Sequence, residues 1–245
     1  MEIINVYGIH AVEKLVQHRP ATVQQLVVAQ PSQSSRIKNI VQLAQAAKIS
    51  IRSASKQELK DLAKGERHQG IVAQITPLAI GNENDLMDQL EYSNKRFLIA
   101  LDTVEDPRNV GACIRSAEAL GASGIILPKD KSASITPIVR KVACGAAEIL
   151  PIFQVTNLVR QLKAMQSAGF WVYGTALDAT SSSIFDTQFA QQSVLVLGAE
   201  GTGLRQLTLK TCDQLVHIPM VGTTESLNVS VAAGICCNVL MQQLC

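Results

Sequence analysis

Three short stretches of this 245-residue chain hold residue types that can do polar chemistry beside permissive turns. The first, DPRNVGACIRSAEALGA (106–122), follows an apolar strand that ends at Asp102. Its spacing predicts a helix from Asn109, with Val110, Cys113, Ile114, Ala117 and Leu120 as the apolar stripe and Arg115 roughly opposite. Asn109, Gly111 and Arg115 then form a small donor-rich surface suited to a phosphate or a sugar; a solvated arginine is the plainer reading. The second, LVLGAEGTGL (195–204), runs an apolar strand into Gly198, Gly201 and Gly203, with Glu200 among them. These glycines let backbone approach a flat ligand closely. A Walker-type phosphate loop is excluded because no lysine is present, and a dinucleotide fingerprint lacks its acidic partner on a second strand. The third, IPMVGTTESLNVSVAAGI (218–235), sets Ser226 and Asn228 at the seam between a polar loop and an apolar helix, where either can cap the helix.

These loops need a scaffold, and the second half of the chain supplies an alternation of short apolar strands with amphipathic helices. Strands are expected at 97–101, 124–127, 170–175, 194–198 and 215–219. Helices are expected at 109–120, 137–147, 157–168, 204–211 and 228–244. Such a pattern means an α/β fold with a parallel sheet covered on both faces. Ligands of these sheets bind at the carboxyl ends of the strands, where all three loops fall. The front half predicts a smaller α/β domain, with strands at 23–29, 49–53 and 69–75 and helices at 34–48 and 56–64. The stretch NENDLMDQLE (82–91) is acidic, has few strong core residues and reads as a connector. The domains expected are 1–77, a linker at 78–94, and 95–245.

Composition narrows the class. The chain is 47% hydrophobic and 17% charged, enough for a sizeable core without disulfides. The six cysteines form no C-x-x-C pair, so buried reduced thiols are expected and a metal site is not. No apolar run is long enough to span a membrane, and residues 1–10 lack the pattern of a secretory signal, so a cytoplasmic protein is expected. Residues 1–81 carry ten Lys/Arg against five Asp/Glu, whereas residues 92–245 carry twelve against eleven. A basic front segment suits a polyanionic partner, although an ordinary solvated face has the same balance. A serine hydrolase is disfavoured because no G-x-S-x-G motif occurs.

In order and spacing, the three loops resemble the three motifs of the SpoU (TrmH-like, SPOUT) RNA 2′-O-ribose methyltransferases, over roughly residue 97 to the C-terminus. The front half, with VYGIHAVEKL (6–15) and RHQGIVA (67–73), resembles the ribosomal-protein-L30e-like RNA-binding extension of the subgroup acting on large-subunit ribosomal RNA. The resemblance implies a C-terminal trefoil knot, a homodimer through that domain, and S-adenosylmethionine as methyl donor with no metal. It implies a guanosine ribose in the peptidyl-transferase loop of 23S rRNA as target, with another rRNA or tRNA site as the alternative. A non-catalytic RNA-binding protein would share the basic front half but would not need all three motifs. By the same resemblance, main chain near Thr175, Gly198, Ile218 and Leu227 surrounds the adenosine of the methyl donor. Arg115 activates the 2′-hydroxyl, either by accepting its proton or by staying charged and stabilising the alkoxide. Asn109 and Glu200 orient Arg115 and the substrate, and Ser226 and Asn228 complete the pocket.

Overall fold

The computed structural model describes residues 3–29, 34–91, 97–224 and 226–245. They group into two units, Met1–Ala79 with Cys144–Ile149, and Ile80–Ala143 with Leu150–Cys245.

The first unit runs β1 (Ile4–Tyr7), α1 (Ile9–His18), β2 (Val23–Ala29), α2 (Ser35–Ala46), β3 (Ser50–Ala54), α3 (Lys56–Leu62) and β4 (Ile71–Ile75). Its sheet has the order β1-β4-β2-β3. Strand β4 runs antiparallel to both neighbours, and β2 and β3 are parallel. The period-two alternation of the strands decides which helix covers which face. Leu26, Val28, Ile71 and Ala73 face Val12 and Leu15 of α1 and Ile37 and Ile40 of α2. Val27 and Val72, one residue out of phase, face Leu59 of α3. The two N-terminal motifs meet here: the Ile9 N–H donates to the Gln69 side-chain oxygen at 3.0 Å, and Gly8 and Gly70 both take positive φ angles. Strand β1 and helix α1 are additions to the sequence expectation.

The second unit contains α4 (Glu83–Glu91), β5 (Phe97–Asp102), α5 (Pro107–Ala119), β6 (Ile125–Pro128), α6 (Pro137–Ala143), β7 (Ile152–Val155), α7 (Leu158–Ser167), β8 (Trp171–Thr175), β9 (Ser182–Ser183), β10 (Ser193–Gly198), α8 (Gln206–Thr211), β11 (Gln214–His217) and α9 (Val229–Leu244). Seven strands form one sheet of order β7-β6-β5-β10-β8-β11-β9, and every pairing in it is parallel. From β5 the chain steps outward to β6 and β7, then returns on the other side through β8, and β10 enters between the two halves. This reversal of order is where an open parallel sheet leaves a crevice.

Three expectations are corrected. The acidic segment taken as a connector is helix α4, and its Leu86 and Leu90 are buried in the core with Leu98, Phe153 and Leu158. Its leucines lie four residues apart, on one helical face, and Met87 packs against the same core; residues 92–96, the end of that expected linker and the start of the next domain, lie outside the described set. Helix α6 stops at Ala143 rather than continuing to 147. Cys144 and Gly145 take φ angles of 52° and 90°, which break an α-helix, and a 3-10 turn follows. Gly111 is not part of a ligand surface. It is buried, and a β-carbon there would come within 2.7 Å of the Val139 carbonyl oxygen on α6. Its glycine serves close helix packing.

Candidate active site

The three polar loops converge at the carboxyl ends of β5, β10, β8 and β11. Parallel register brings the first two together, since Gly198 pairs with Asp102 in the ladder between β10 and β5. Asp106 then caps α5, its carboxylate accepting from the Arg108 N–H at 2.8 Å, and Pro107 occupies the first turn, where its missing N–H costs nothing.

At the meeting point, one carboxylate oxygen of Glu200 gathers the loops. It accepts from the side-chain amide of Asn109 at 2.8 Å, from the side-chain amide of Asn228 at 2.5 Å, and from the Val229 N–H at 3.4 Å. Asn228 also donates to the Asn109 side-chain oxygen at 3.0 Å. The other end of Asn228 caps α9, its oxygen accepting from the Ser230 N–H at 2.9 Å and the Ser230 hydroxyl at 2.5 Å. The capping and the site readings of Asn228 are therefore both met, because an amide has a donor end and an acceptor end. Sequence separations of 91 and 119 residues are closed by these bonds.

Beside this cluster lies a cleft of about 320 Å³. Thr175, Gly198, Ile218 and Leu227 all line it, with Glu200 and Ser226. Its walls combine apolar side chains with main chain from strand ends, a lining suited to a flat, partly polar ligand. Gly198 is obligatory for shape: a β-carbon there would sit 2.2 Å from the Gly203 carbonyl carbon and 2.5 Å from the Leu204 nitrogen. The turn after β10 folds back on the strand too tightly for any side chain. Cys236 also lines the cleft. Burial, reinforced by the nearby Cys237, pushes its thiol up to about 12, so it stays protonated and is a poor nucleophile toward an electrophile bound there.

Arg115 is exposed on α5, four residues from the buried Gly111 and two from the buried Cys113. Ser226 and Asn228 are exposed, and Asn109 is half-buried. The structure thus brings Asn109, Glu200 and Asn228 into direct contact, and sets Ser226 with the four residues of the cleft wall.

One pair escaped the sequence reading. Asp102 is fully buried, and its carboxylate accepts from Arg205 at 2.7 Å (Nε), 2.6 Å (a terminal nitrogen) and 3.0 Å (main chain). It fastens the end of β5 to the loop that follows β10, so the first and second motifs are joined by an ion pair with a buried carboxylate and an exposed guanidinium, as well as by the sheet. The only available signal was an aspartate closing an otherwise apolar strand, FLIALD; its partner is 103 residues away.

Comparison with known proteins identifies relatives of the whole chain. Residues 96–238 match the SpoU rRNA Methylase family, and residues 5–80 match the RNA 2′-O ribose methyltransferase substrate binding family. The 23S rRNA (guanosine-2′-O-)-methyltransferase RlmB of Pseudomonas aeruginosa is 45% identical over 239 residues, 97% of this chain and 96% of that one. RlmB of Vibrio cholerae is 45% identical over 231 residues, 94% and 93% of the two chains. Among solved structures, the SpoU methyltransferase AviRb from Streptomyces viridochromogenes, in complex with AdoMet, is similar with a TM-score of 0.73 and 24% identity, covering 98% of this chain and 90% of that one. An AdoMet-bound rRNA methyltransferase from Sinorhizobium meliloti has a TM-score of 0.74 at 22% identity, over 99% and 88%. These two likenesses show a shared fold.

Proposed function

Since the chain belongs to the SpoU rRNA methylase family, we propose that it transfers a methyl group from S-adenosylmethionine to the ribose 2′-hydroxyl of a guanosine in 23S rRNA. The relatives that share 45% of its residues along nearly the whole chain carry that activity in their names. The observation that carries the reading on this molecule is the Asn109–Glu200–Asn228 cluster, where three separate motifs close on the rim of one cleft. We place the target in the peptidyl-transferase loop.

The cleft residues fit the methyl donor: apolar Leu197, Ile218 and Leu227 suit the adenine faces, and Thr175 and strand-end main chain suit its polar edge. When bound, S-adenosylmethionine would supply an electrophilic methyl on a sulfonium: the ribose oxygen would form the new C–O bond in line as the C–S bond breaks, with S-adenosylhomocysteine as the leaving group. The protein's part is to bring the ribose hydroxyl to that methyl and to ease loss of its proton. The Arg115 guanidinium stabilises the alkoxide that develops as the hydroxyl proton passes to solvent water. Asn109 and Glu200 position the substrate side of the site. Asn228 locks α9 to both, and Ser226 completes the wall. Cys236, neutral and buried, does not compete for the methyl group.

The first unit, residues 1–77 with its basic balance, acts as the RNA reader, an L30e-like domain; residues 95–245 form the knotted catalytic domain. The sheet order supports the knot, since β10 enters between β5 and β8, and β11 between β8 and β9, after those strands are laid down. The homodimer is supported by α9, an apolar helix whose Val231 is half exposed. A cytoplasmic location follows from an rRNA substrate, and no helix among the described residues is long and apolar enough to cross a membrane.

The test is to map 2′-O-methylated riboses in 23S rRNA from cells with and without the gene. One guanosine in the peptidyl-transferase loop should lose its methyl group in the deletion strain. A loss in tRNA or at another rRNA position supports the alternative target, and no loss at all supports a non-catalytic RNA-binding protein.

A further inference from the structure

Resting on the methyltransferase reading, we propose that the cleft between α7 and α8 is a phosphate track holding the single-stranded RNA that flanks the target nucleotide. The cleft encloses about 750 Å³, and Lys131, Arg160, Lys163 and Arg205 stand in its lining with one acidic residue, Asp130. Arg205 is committed to the buried Asp102. The other three are differently placed. Among the described residues Lys131 and Lys163 form no ion pair, and Arg160, 72% exposed, comes only within 3.9 Å of Glu83. Arg160 and Lys163 are three residues apart on α7, so they share a helix face. Three exposed cations around a groove, with one carboxylate among them, suit a chain of phosphates.

A second observation comes from α8. The hydroxyl of Thr208 is buried and has no hydrogen-bond partner, and Thr208 lines this same cleft. A buried hydroxyl without a partner is costly, and a rotation of the side chain toward the cleft would let a phosphate or ribose oxygen there satisfy it.

The cleft is also continuous with the reaction site. Lys131 and Arg205 belong both to it and to a neighbouring hollow of about 570 Å³ that contains Asn109 and Glu200. That hollow shares Glu200 and Val229 with the methyl-donor cleft. Glu105 and Asp106 line the middle hollow, which makes it a poor seat for phosphate and a better one for sugar and base. A strand whose ribose hydroxyl sits by Asn109 and Glu200 therefore leaves the acidic stretch and carries its next phosphates past Lys131 to Arg160 and Lys163.

The experiment uses the full-length protein and a transcribed 23S rRNA fragment carrying the peptidyl-transferase loop. Affinity is measured across a salt series for wild type, the double variant Arg160→Glu/Lys163→Glu, and the charge-preserving Arg160→Lys/Lys163→Arg. The charge reversal should weaken binding roughly tenfold at low salt and flatten the log–log salt slope by about 1.4, near 0.7 for each lost contact with a single strand. The charge-preserving variant should bind as wild type does, and S-adenosylmethionine affinity should be the same in all three. Ethylation of phosphates on one side of the target guanosine should weaken wild-type binding by a similar factor and no longer matter to the reversal. If the reversal does not fold, Lys163→Gln alone should show half the slope change. Thr208→Val should raise Tm and lower RNA affinity several-fold. Unchanged affinity and slope in the charge variants would overturn the track. Failure of the methyltransferase reading looks different: wild type binds the fragment but methylates no guanosine ribose in it.

Discussion

The two sheets of this protein differ in direction, and that difference sorts their tasks. In the seven-stranded sheet every pairing is parallel, so the carboxyl ends of all strands open on one edge. Loops that are far apart in sequence must meet there, and the side chains of Asn109, Glu200 and Asn228 do meet. In the four-stranded sheet β1, β2 and β3 run one way and β4 runs against them, so one strand opens on the opposite edge, and among the described residues no comparable cluster of side chains closes there. That unit keeps its charge on helices and turns, where Lys56, Lys60 and Arg67 are exposed. A parallel sheet concentrates chemistry; a mixed one presents a surface.

The largest effect should come from trimming the catalytic unit at the wrong place. A fragment of residues 80–245 keeps α4, whereas one of residues 92–245 strips Leu86 and Leu90 from a shared core. Removing two buried leucines costs on the order of 5 kcal/mol. Both fragments lack the rest of the unit that Cys144–Ile149 belongs to, so the difference between them isolates α4. Denaturant titration should find the longer fragment folded and binding S-adenosylmethionine, and the shorter one unfolded or far weaker. Equal stability would make the acidic segment a connector after all.

Next in size is Arg115→Ala. This residue is exposed on α5, so the fold should survive, and S-adenosylmethionine affinity should stay within about twofold. Methyl transfer in single-turnover assays with saturating RNA should fall about a hundredfold or more, the usual loss when a charge-stabilising group is removed. A normal rate would reduce Arg115 to a solvated helix residue and leave the parallel edge without its proposed catalyst.

Charge reversal at Lys56, Lys60 and Arg67 probes the other sheet. About a tenfold loss of RNA affinity at low salt is expected, shrinking as salt rises, with methyl-donor binding untouched. Unaltered RNA affinity would show that the basic balance of the front unit is only a solvated face.

The smallest effect concerns Glu83. The Thr156 N–H, 2.6 Å away, holds its carboxyl below the usual range, from 4.5 to about 2. A depressed folded-state value stabilises the protein fully above about pH 4.5, and that contribution is lost as pH falls toward 2. Glu83→Gln should lower Tm slightly at neutral pH and by less near pH 2; an identical loss at both would mean the carboxylate charge is irrelevant to α4.

Much of the site was legible because its residues break local patterns. Glycines and a carboxylate at the end of an apolar strand, and a polar seam before an apolar helix, stand out without any structure. What they touch was not legible. Asn228 reads as a cap from its neighbours alone, and only the fold shows its amide reaching Glu200 and Asn109. Gly111 has the composition of a ligand surface, yet the reason for it is the Val139 carbonyl of another helix. Strand β7, IFQV, was not anticipated, and α4 was hidden by the acidic residues around its two leucines. The Asp102–Arg205 pair left only the aspartate that closes FLIALD as a trace, because an ion pair across more than a hundred residues does not mark its second partner locally.

The most direct test of the central account is nucleoside analysis of unmodified 23S rRNA after incubation with the purified protein and S-adenosylmethionine labelled in its methyl group. Wild type should place label in 2′-O-methylguanosine from the peptidyl-transferase loop, and Arg115→Ala almost none although that variant still binds the methyl donor. Label on a base, or equal ribose labelling by both proteins, would contradict it.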